Sequence, residues 1–106
     1  MSATTTKRLA VIEAILAKGS KDPFHHYARA MELRSIDRKD ESLAALTKLT
    51  TDHPAYVPTY LMAAQLAQEL GRSDEARRFA EGGIERARAA GDDHALSELT
   101  TLRNTL

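Results

Sequence analysis

A helix-turn-helix pattern occurs twice between residues 23 and 90, and its two copies lie 34 residues apart. A few residues are identical in the two copies. At most other positions the copies agree only in residue type, with apolar residues at the positions that a helix buries. A two-helix unit repeated at this spacing cannot bury its apolar face alone, so the pattern predicts stacked helical hairpins that share one core. Identical pairs include Ala30 and Ala64, Arg38 and Arg72, Asp40 and Asp74, and Glu41 and Glu75.

The flanking segments also have helical periodicity. Apolar residues recur every three or four positions in six segments, and none of these alternates apolar and polar residues as a strand does. Asp22 before Pro23 predicts a capped helix start, and Ser73 is the predicted cap of the second helix of the second repeat. We therefore predict an all-α fold with a single domain, residues 1–106. Its parts are an N-terminal helix (7–18), a first repeat (23–56), a second repeat (57–90) and a C-terminal capping helix (92–104).

The composition argues against several classes of protein. The chain has no cysteine, which rules out disulfides, zinc–thiolate sites and thiol chemistry. Its 15 basic and 15 acidic residues give a net charge of zero, whereas charge-driven binding of nucleic acid or anionic lipid needs a positive excess. The apolar stretch at residues 9–17 contains Glu13 and is far shorter than the about 20 residues of a membrane span. We expect a soluble cytoplasmic protein that binds neither nucleic acid nor membrane.

The second copy resembles a tetratricopeptide repeat in the order of its aromatic, small and turn residues: Tyr60, Ala63-Ala64, Ala67, Gly71 and Ala76. The first copy departs from that pattern at His26, where the family prefers a large aromatic residue, and at Asp37, where the turn glycine is missing. The resemblance implies a right-handed α-α superhelix of two hairpins plus an N-terminal and a C-terminal helix, six helices in all.

The whole chain resembles the short bacterial tetratricopeptide proteins that carry a Gly-Asp turn and a Glu-Leu helix at the end, here Gly91-Asp92 and Glu98-Leu99. Two repeats alone bury little surface, so the flanking helices are predicted to cap the stack. Gly83 lies within a helix, where glycine costs about 1 kcal/mol relative to alanine. We interpret it as a close-packing position for the last helix, with a flexible hinge as the alternative.

No motif for catalysis or cofactor binding is present. The sequence has no glycine-rich phosphate loop, no serine elbow and no HExxH motif. His25 and His26 are adjacent and would point about 100° apart on a helix, while His53 and His94 are isolated. Asp92 to His94 occupies a predicted helix cap. The sequence therefore predicts a protein that is not an enzyme and has no metal site or cofactor.

The family resemblance also implies a binding surface, because the first helix of each tetratricopeptide hairpin lines the concave face. The family's best-known mode clamps a peptide carboxylate with Lys, Asn and Arg, and here Arg34 alone has the right chemistry, so we reject that mode. An apolar strip of Phe24, Tyr27, Met31 and Leu61 is predicted to bind a helix or an extended peptide. The positions carried over are Phe24, Tyr27, Met31, Arg34 and Ser35, then Pro58, Leu61, Gln65, Gln68 and Glu69.

The resemblance implies a non-catalytic protein–protein interaction scaffold that binds a partner protein or peptide on this face. The alternatives are a homo-oligomeric structural subunit that uses the same face for self-association and, as a minor one, an enzyme or nucleic-acid binder. The face is open to a partner only if neither the first helix nor a second copy covers it.

Overall fold

The computed structural model describes residues 5–106, and within that range it contains six α-helices and no strand. The predicted all-α fold with six helices is therefore confirmed. None of these helices is long and apolar enough to cross a membrane. The helices are α1 (Lys7–Ala17), α2 (Pro23–Ser35), α3 (Lys39–Asp52), α4 (Pro58–Glu69), α5 (Ser73–Ala90) and α6 (Asp93–Arg103).

Side-chain caps begin three of the helices. Thr6 accepts a hydrogen bond from the Leu9 amide at 3.0 Å, and Asp22 and Asp92 accept from amides in the first turns of α2 and α6 at 2.9 and 3.0 Å. The prediction that Ser73 caps the second helix of the second repeat is wrong. Arg72 occupies the cap position, where its side chain makes no capping hydrogen bond, so Ser73 is already the first helical residue of α5.

The turn inside each hairpin uses a left-handed backbone residue. Gly71 has φ 74° between α4 and α5, and Asp37, 34 positions earlier, has φ 63° between α2 and α3. In both turns the next residue donates to a carbonyl near the helix end, Arg38 to Leu33 at 2.9 Å and Arg72 to Ala67 at 2.8 Å. The first copy thus keeps the glycine-type turn with an aspartate, which tolerates this conformation better than most residues.

Replacing Asp37 by glycine is expected to raise the free energy of unfolding by about 0.5–1 kcal/mol, because glycine adopts positive φ without steric cost. The carboxylate is exposed and its ion pair with Lys39, at 3.7 Å, is a weak one. The matching variant Gly71→Ala should lower stability, since no atom lies within 4 Å of an added Cβ and only the backbone is strained. Thermal unfolding followed by circular dichroism measures both, and shifts of the same sign would contradict the argument.

Successive helices pack against each other along the chain, and α4 also contacts α6. The larger buried cluster joins α2, α3, α4 and α5, and a second cluster joins α4, α5 and α6. Gly83 lies between Tyr60 of α4 and Leu99 of α6, so its prediction as a close-packing position for the last helix is confirmed. The larger cluster contains Ala30, Leu43, Leu46, Ala63, Leu66, Ala67 and Ala76; the second contains Val57, Tyr60, Ile84, Ala87 and Leu99.

Helix α1 is held on α2 by one buried leucine and by polar bonds. Leu9 is fully buried. The carboxylate of Glu32, itself buried, accepts from the Thr6 hydroxyl at 2.8 Å and from Arg8 at 3.3 Å. Glu13 pairs with Arg29 at 3.1 Å. These contacts place α1 beside α2, on the side of α2 that faces away from α4.

Candidate partner-binding groove

A cleft of about 240 Å³ lies between α2, α4 and α6, and we call it the groove. Its floor is apolar and comes mainly from α4. Tyr27 contributes from α2, and α6 forms the remaining wall. The residues that line the groove are Tyr27, Val57, Pro58, Leu61, Met62, Gln65, Asp92, His94, Ala95 and Glu98.

Two large apolar side chains extend the surface of α2 that carries Tyr27. Phe24 and Met31 are 50% and 37% exposed, and with Tyr27 they occupy positions i, i+3 and i+7 of one helix face. All four exposed large hydrophobic residues of the described chain lie on α1 and α2. Helix α1 therefore leaves the side chains of Phe24 and Met31 uncovered.

Tyr27 is fixed in position by a second aromatic residue. Its ring meets the ring of Tyr56 edge-on, with centroids 5.8 Å apart. Burial raises the pKa of the Tyr27 hydroxyl above its ordinary value; Tyr56 raises it further, and Arg34 opposes the shift. The hydroxyl is thus neutral at physiological pH and can donate a hydrogen bond to a ligand in the groove.

The wall that α6 supplies is acidic. Asp92 caps the helix and Glu98 lies farther along it, where its carboxylate is 2.6 Å from Nε2 of His94. Among residues 5–106, no lysine or arginine lines the groove. The groove therefore combines an apolar floor with a rim that favours a positively charged group.

Ion pairs neutralise the cationic residue closest to the end of α2. Arg34 forms a hydrogen-bonded ion pair with Glu69, and Glu69 also lies 3.7 Å from Lys39. Glu69 thus joins the end of α4 to α2 and to the start of α3. Arg34 is occupied by this carboxylate rather than presented to a ligand.

Two solved structures decide the family. A crystal structure of a tetratricopeptide repeat domain protein from Salinibacter ruber is 36% identical to this chain, with a TM-score of 0.76, over 80% of this chain and 94% of that one. The chain belongs to the tetratricopeptide repeat family. A solution structure of a tetratricopeptide repeat domain protein from the same organism gives a TM-score of 0.77 at 36% identity, over 80% of this chain and 86% of that one.

A solution structure of a protein from Bordetella parapertussis has the same fold, with a TM-score of 0.80 at 21% identity over 95% of this chain and 88% of that one. No family model and no curated protein sequence matches the chain. The chain is therefore a tetratricopeptide scaffold, a helical repeat of the kind that serves protein–protein interaction.

The structure brings together only part of the predicted tetratricopeptide binding face. Tyr27, Leu61 and Gln65 line the groove, as does Pro58, while Phe24 and Met31 are exposed beside it on α2. The other predicted positions lie elsewhere: Arg34 and Glu69 pair with each other, and Gln68 and Ser35 are exposed outside the groove.

The contribution of α6 was missed by the sequence reasoning, although the repeat carries a signal for it. A further shift by 34 residues places Ala95 on Leu61, just as Leu61 falls on Tyr27, and all three line the groove. Helix α6 thus lies at the sequence position that the first helix of a third repeat would have. The prediction of α6 as a capping helix gives Asp92 and Glu98 no place in the groove, although the structure puts both in its lining.

His26 and His53 lie close together in the fold, although they are far apart in the sequence. Nδ1 of His25 lies 2.6 Å from the Ser20 hydroxyl, and the rings of His26 and His53 are 6.3 Å apart. Among residues 5–106 no group of three or more His, Asp or Glu side chains is arranged to hold a metal ion.

Proposed function

We propose that this protein is a non-catalytic interaction module whose groove binds an apolar segment of a partner protein that also carries a lysine or arginine. The observation that supports this most directly is the composition of the groove. Its floor is apolar, Phe24 and Met31 lie uncovered beside it, and its α6 rim is acidic.

The energetics favour a segment with one or two large apolar anchors. Full burial of such a side chain contributes about 1.5–3 kcal/mol, and a cleft of about 240 Å³ accommodates one or two of them. A basic residue beside the anchors would face Asp92 and Glu98. That contact contributes more to orientation and specificity than to affinity, because the rim is exposed to solvent.

A partner recognised through its terminal carboxylate does not fit this surface. Arg34 is the one cation at the carried-over positions, and Glu69 already pairs with it. A free carboxylate would displace Glu69 and would also meet the negative rim of α6. We therefore expect internal segments rather than C-termini as ligands.

Selection of 15-residue peptides from a displayed random library against the full chain tests this proposal. We expect enriched peptides to combine large apolar residues with Lys or Arg. Phe24→Asp and Glu98→Lys should each weaken their binding about tenfold, which corresponds to about 1.4 kcal/mol, because one removes apolar contact and the other reverses the rim charge. Isothermal titration calorimetry of the enriched peptides measures this.

Ala44→Asp is the matched control, since it also introduces a charge at an exposed apolar residue but lies on α3 outside the groove. Affinities that fall equally for Ala44→Asp and Phe24→Asp would sink the proposal. So would enriched peptides that bind Phe24→Asp and Glu98→Lys as tightly as the parent chain.

Self-association through the same face is the second candidate. Phe24 and Met31 favour self-association because both are exposed apolar side chains. The net charge of zero also permits it, since there is no overall repulsion between copies. Analytical ultracentrifugation over a hundredfold range of concentration separates the two candidates. A species that stays monomeric throughout eliminates self-association and leaves the groove to a foreign segment.

A further inference from the structure

In the 34-residue repeat, α1 corresponds to the second helix of a hairpin. Among the described residues, no first helix of that hairpin precedes it. A shift of 34 residues places Val11 on Ala45 and Ile15 on Leu49 of α3. In α3 these positions are covered: Leu49 is 3% exposed and Ala45 packs against the larger core cluster. In α1 the equivalent Val11 and Ile15 are 60% and 37% exposed.

The second repeat shows what such a position contacts. A further shift by 34 places Ile15 on Gly83. Gly83 lies between Leu99 of α6, the helix that follows, and Tyr60 of α4, the first helix of its own hairpin. Val11 and Ile15 therefore project from the surface where a first helix would pack on α1. That surface is half of a helix–helix interface.

The charges around these two side chains have one sign. Lys7, Val11, Ile15 and Lys18 follow one another at spacings of 4, 4 and 3 residues and so form one stripe along α1. Both lysines are exposed, and neither forms an ion pair with any of residues 5–106. The single acidic residue of α1, Glu13, is turned toward Arg29 of α2.

A molecule that packs on this face of α1 must complement the stripe in charge and in apolar contact. The α1 helix of a second copy does not. Two copies of α1 packed through this face would bring lysine next to lysine, whether the helices run parallel or antiparallel. The outer face of α6 also gives no match, because no large hydrophobic side chain of α6 is exposed. An anionic membrane surface is disfavoured because two apolar side chains give little insertion.

We propose that α1 docks an acidic amphipathic helix of another protein, which packs on α1 as α2 packs on α3 and α4 packs on α5. Its apolar residues cover Val11 and Ile15, and its acidic residues meet Lys7 and Lys18. Because 11 residues of helix span about 16 Å, those acidic residues lie about three turns apart. This surface is separate from the groove and of opposite charge.

A synthetic helical peptide tests the proposal on the full chain. It carries two leucines at i and i+4, glutamates at i−4 and i+7, and alanine-rich helix-forming residues elsewhere; the comparison peptide has glutamine in place of both glutamates, so that it gains no positive charge for the groove. Fluorescence anisotropy at low salt should show about tenfold tighter binding of the glutamate peptide. Val11→Asp and Lys18→Glu should each remove most of that binding, while Ala89→Asp on the exposed surface of α5 should leave it unchanged.

Amide chemical-shift mapping then locates the peptide, with changes expected along α1. Equal affinity for the glutamate and glutamine peptides would overturn the proposal, as would loss of binding in Phe24→Asp without loss in Val11→Asp, which places the peptide in the groove. Dimers that disappear in Val11→Asp would make the occupant a second copy. Sedimentation with phosphatidylserine vesicles that depends on Val11 would make it a membrane.

Discussion

Replacing Gly83 by alanine is expected to lower the free energy of unfolding by about 2 kcal/mol, the cost of an overpacked core reduced by the gain in helix propensity. An added Cβ would lie 2.5 Å from Cβ of Tyr60 and 2.9 and 3.0 Å from the two terminal carbons of Leu99. The tyrosine Cβ is fixed to its backbone and cannot swing aside, so α4 and α5 must move apart.

The neighbouring glycine is the control for this prediction. At Gly82 an added Cβ would lie 3.5 Å from the nearest ring carbon of Tyr60, an ordinary van der Waals contact. Gly82→Ala should therefore raise stability by up to about 1 kcal/mol through helix propensity alone. Urea unfolding followed at 222 nm measures both variants. Shifts of the same sign would show that helix propensity, rather than close approach, decides the effect of both glycines.

The sequence predicted the helices well because their ends carry local signals. Asp22 with Pro23 and the glycines after α4 and α5 act within one turn of chain, so one residue decides each boundary. Asp37 had no such signal, since an aspartate is compatible with several conformations. Its left-handed backbone corresponds to that of Gly71 in the second repeat, so the signal for it lies in the 34-residue repeat and not within one turn of chain.

The groove was predicted less completely than the fold. Tyr27 and Leu61 were found because the family pattern assigns first-helix residues to the binding face, and the structure places both in the groove. Arg34 and Glu69 satisfy the same pattern, yet their ion pair depends on the distance between α2 and α4. The residue pattern of a single helix does not predict the distance between α2 and α4.

The role of α6 depends on contacts between helices that are distant in sequence. The α4–α6 contact brings Asp92 and Glu98 to the groove, although both residues have a sufficient local role, one as a cap and one as an i,i+4 partner of His94. The sequence near Asp92 and Glu98 explains both residues without any contact between α4 and α6. The position of α6 on the scaffold thus decides the charge of the groove.

Replacing Leu99 by alanine is expected to lower the free energy of unfolding by about 3 kcal/mol, within the range for a fully buried leucine that leaves a cavity. Leu99 is 0% exposed and is the α6 member of the cluster with Val57, Tyr60, Ile84 and Ala87. Removing it takes away the main apolar contact of α6. The groove should weaken with it, because Asp92, Ala95 and Glu98 are positioned by that helix.

Leu102→Ala gives a matched comparison, since it makes the same chemical change one turn later at a partly exposed residue. We expect a loss of about 1 kcal/mol there, in proportion to the smaller apolar area removed from water. Urea midpoints measure both variants, and hydrogen exchange of the α6 amides shows whether the helix opens before the rest of the chain. Equal midpoints for the two variants would mean that Leu99 does not anchor α6. A lower m-value for Leu99→Ala would instead show that α6 has already detached in the native state, since less surface then remains to be exposed on unfolding.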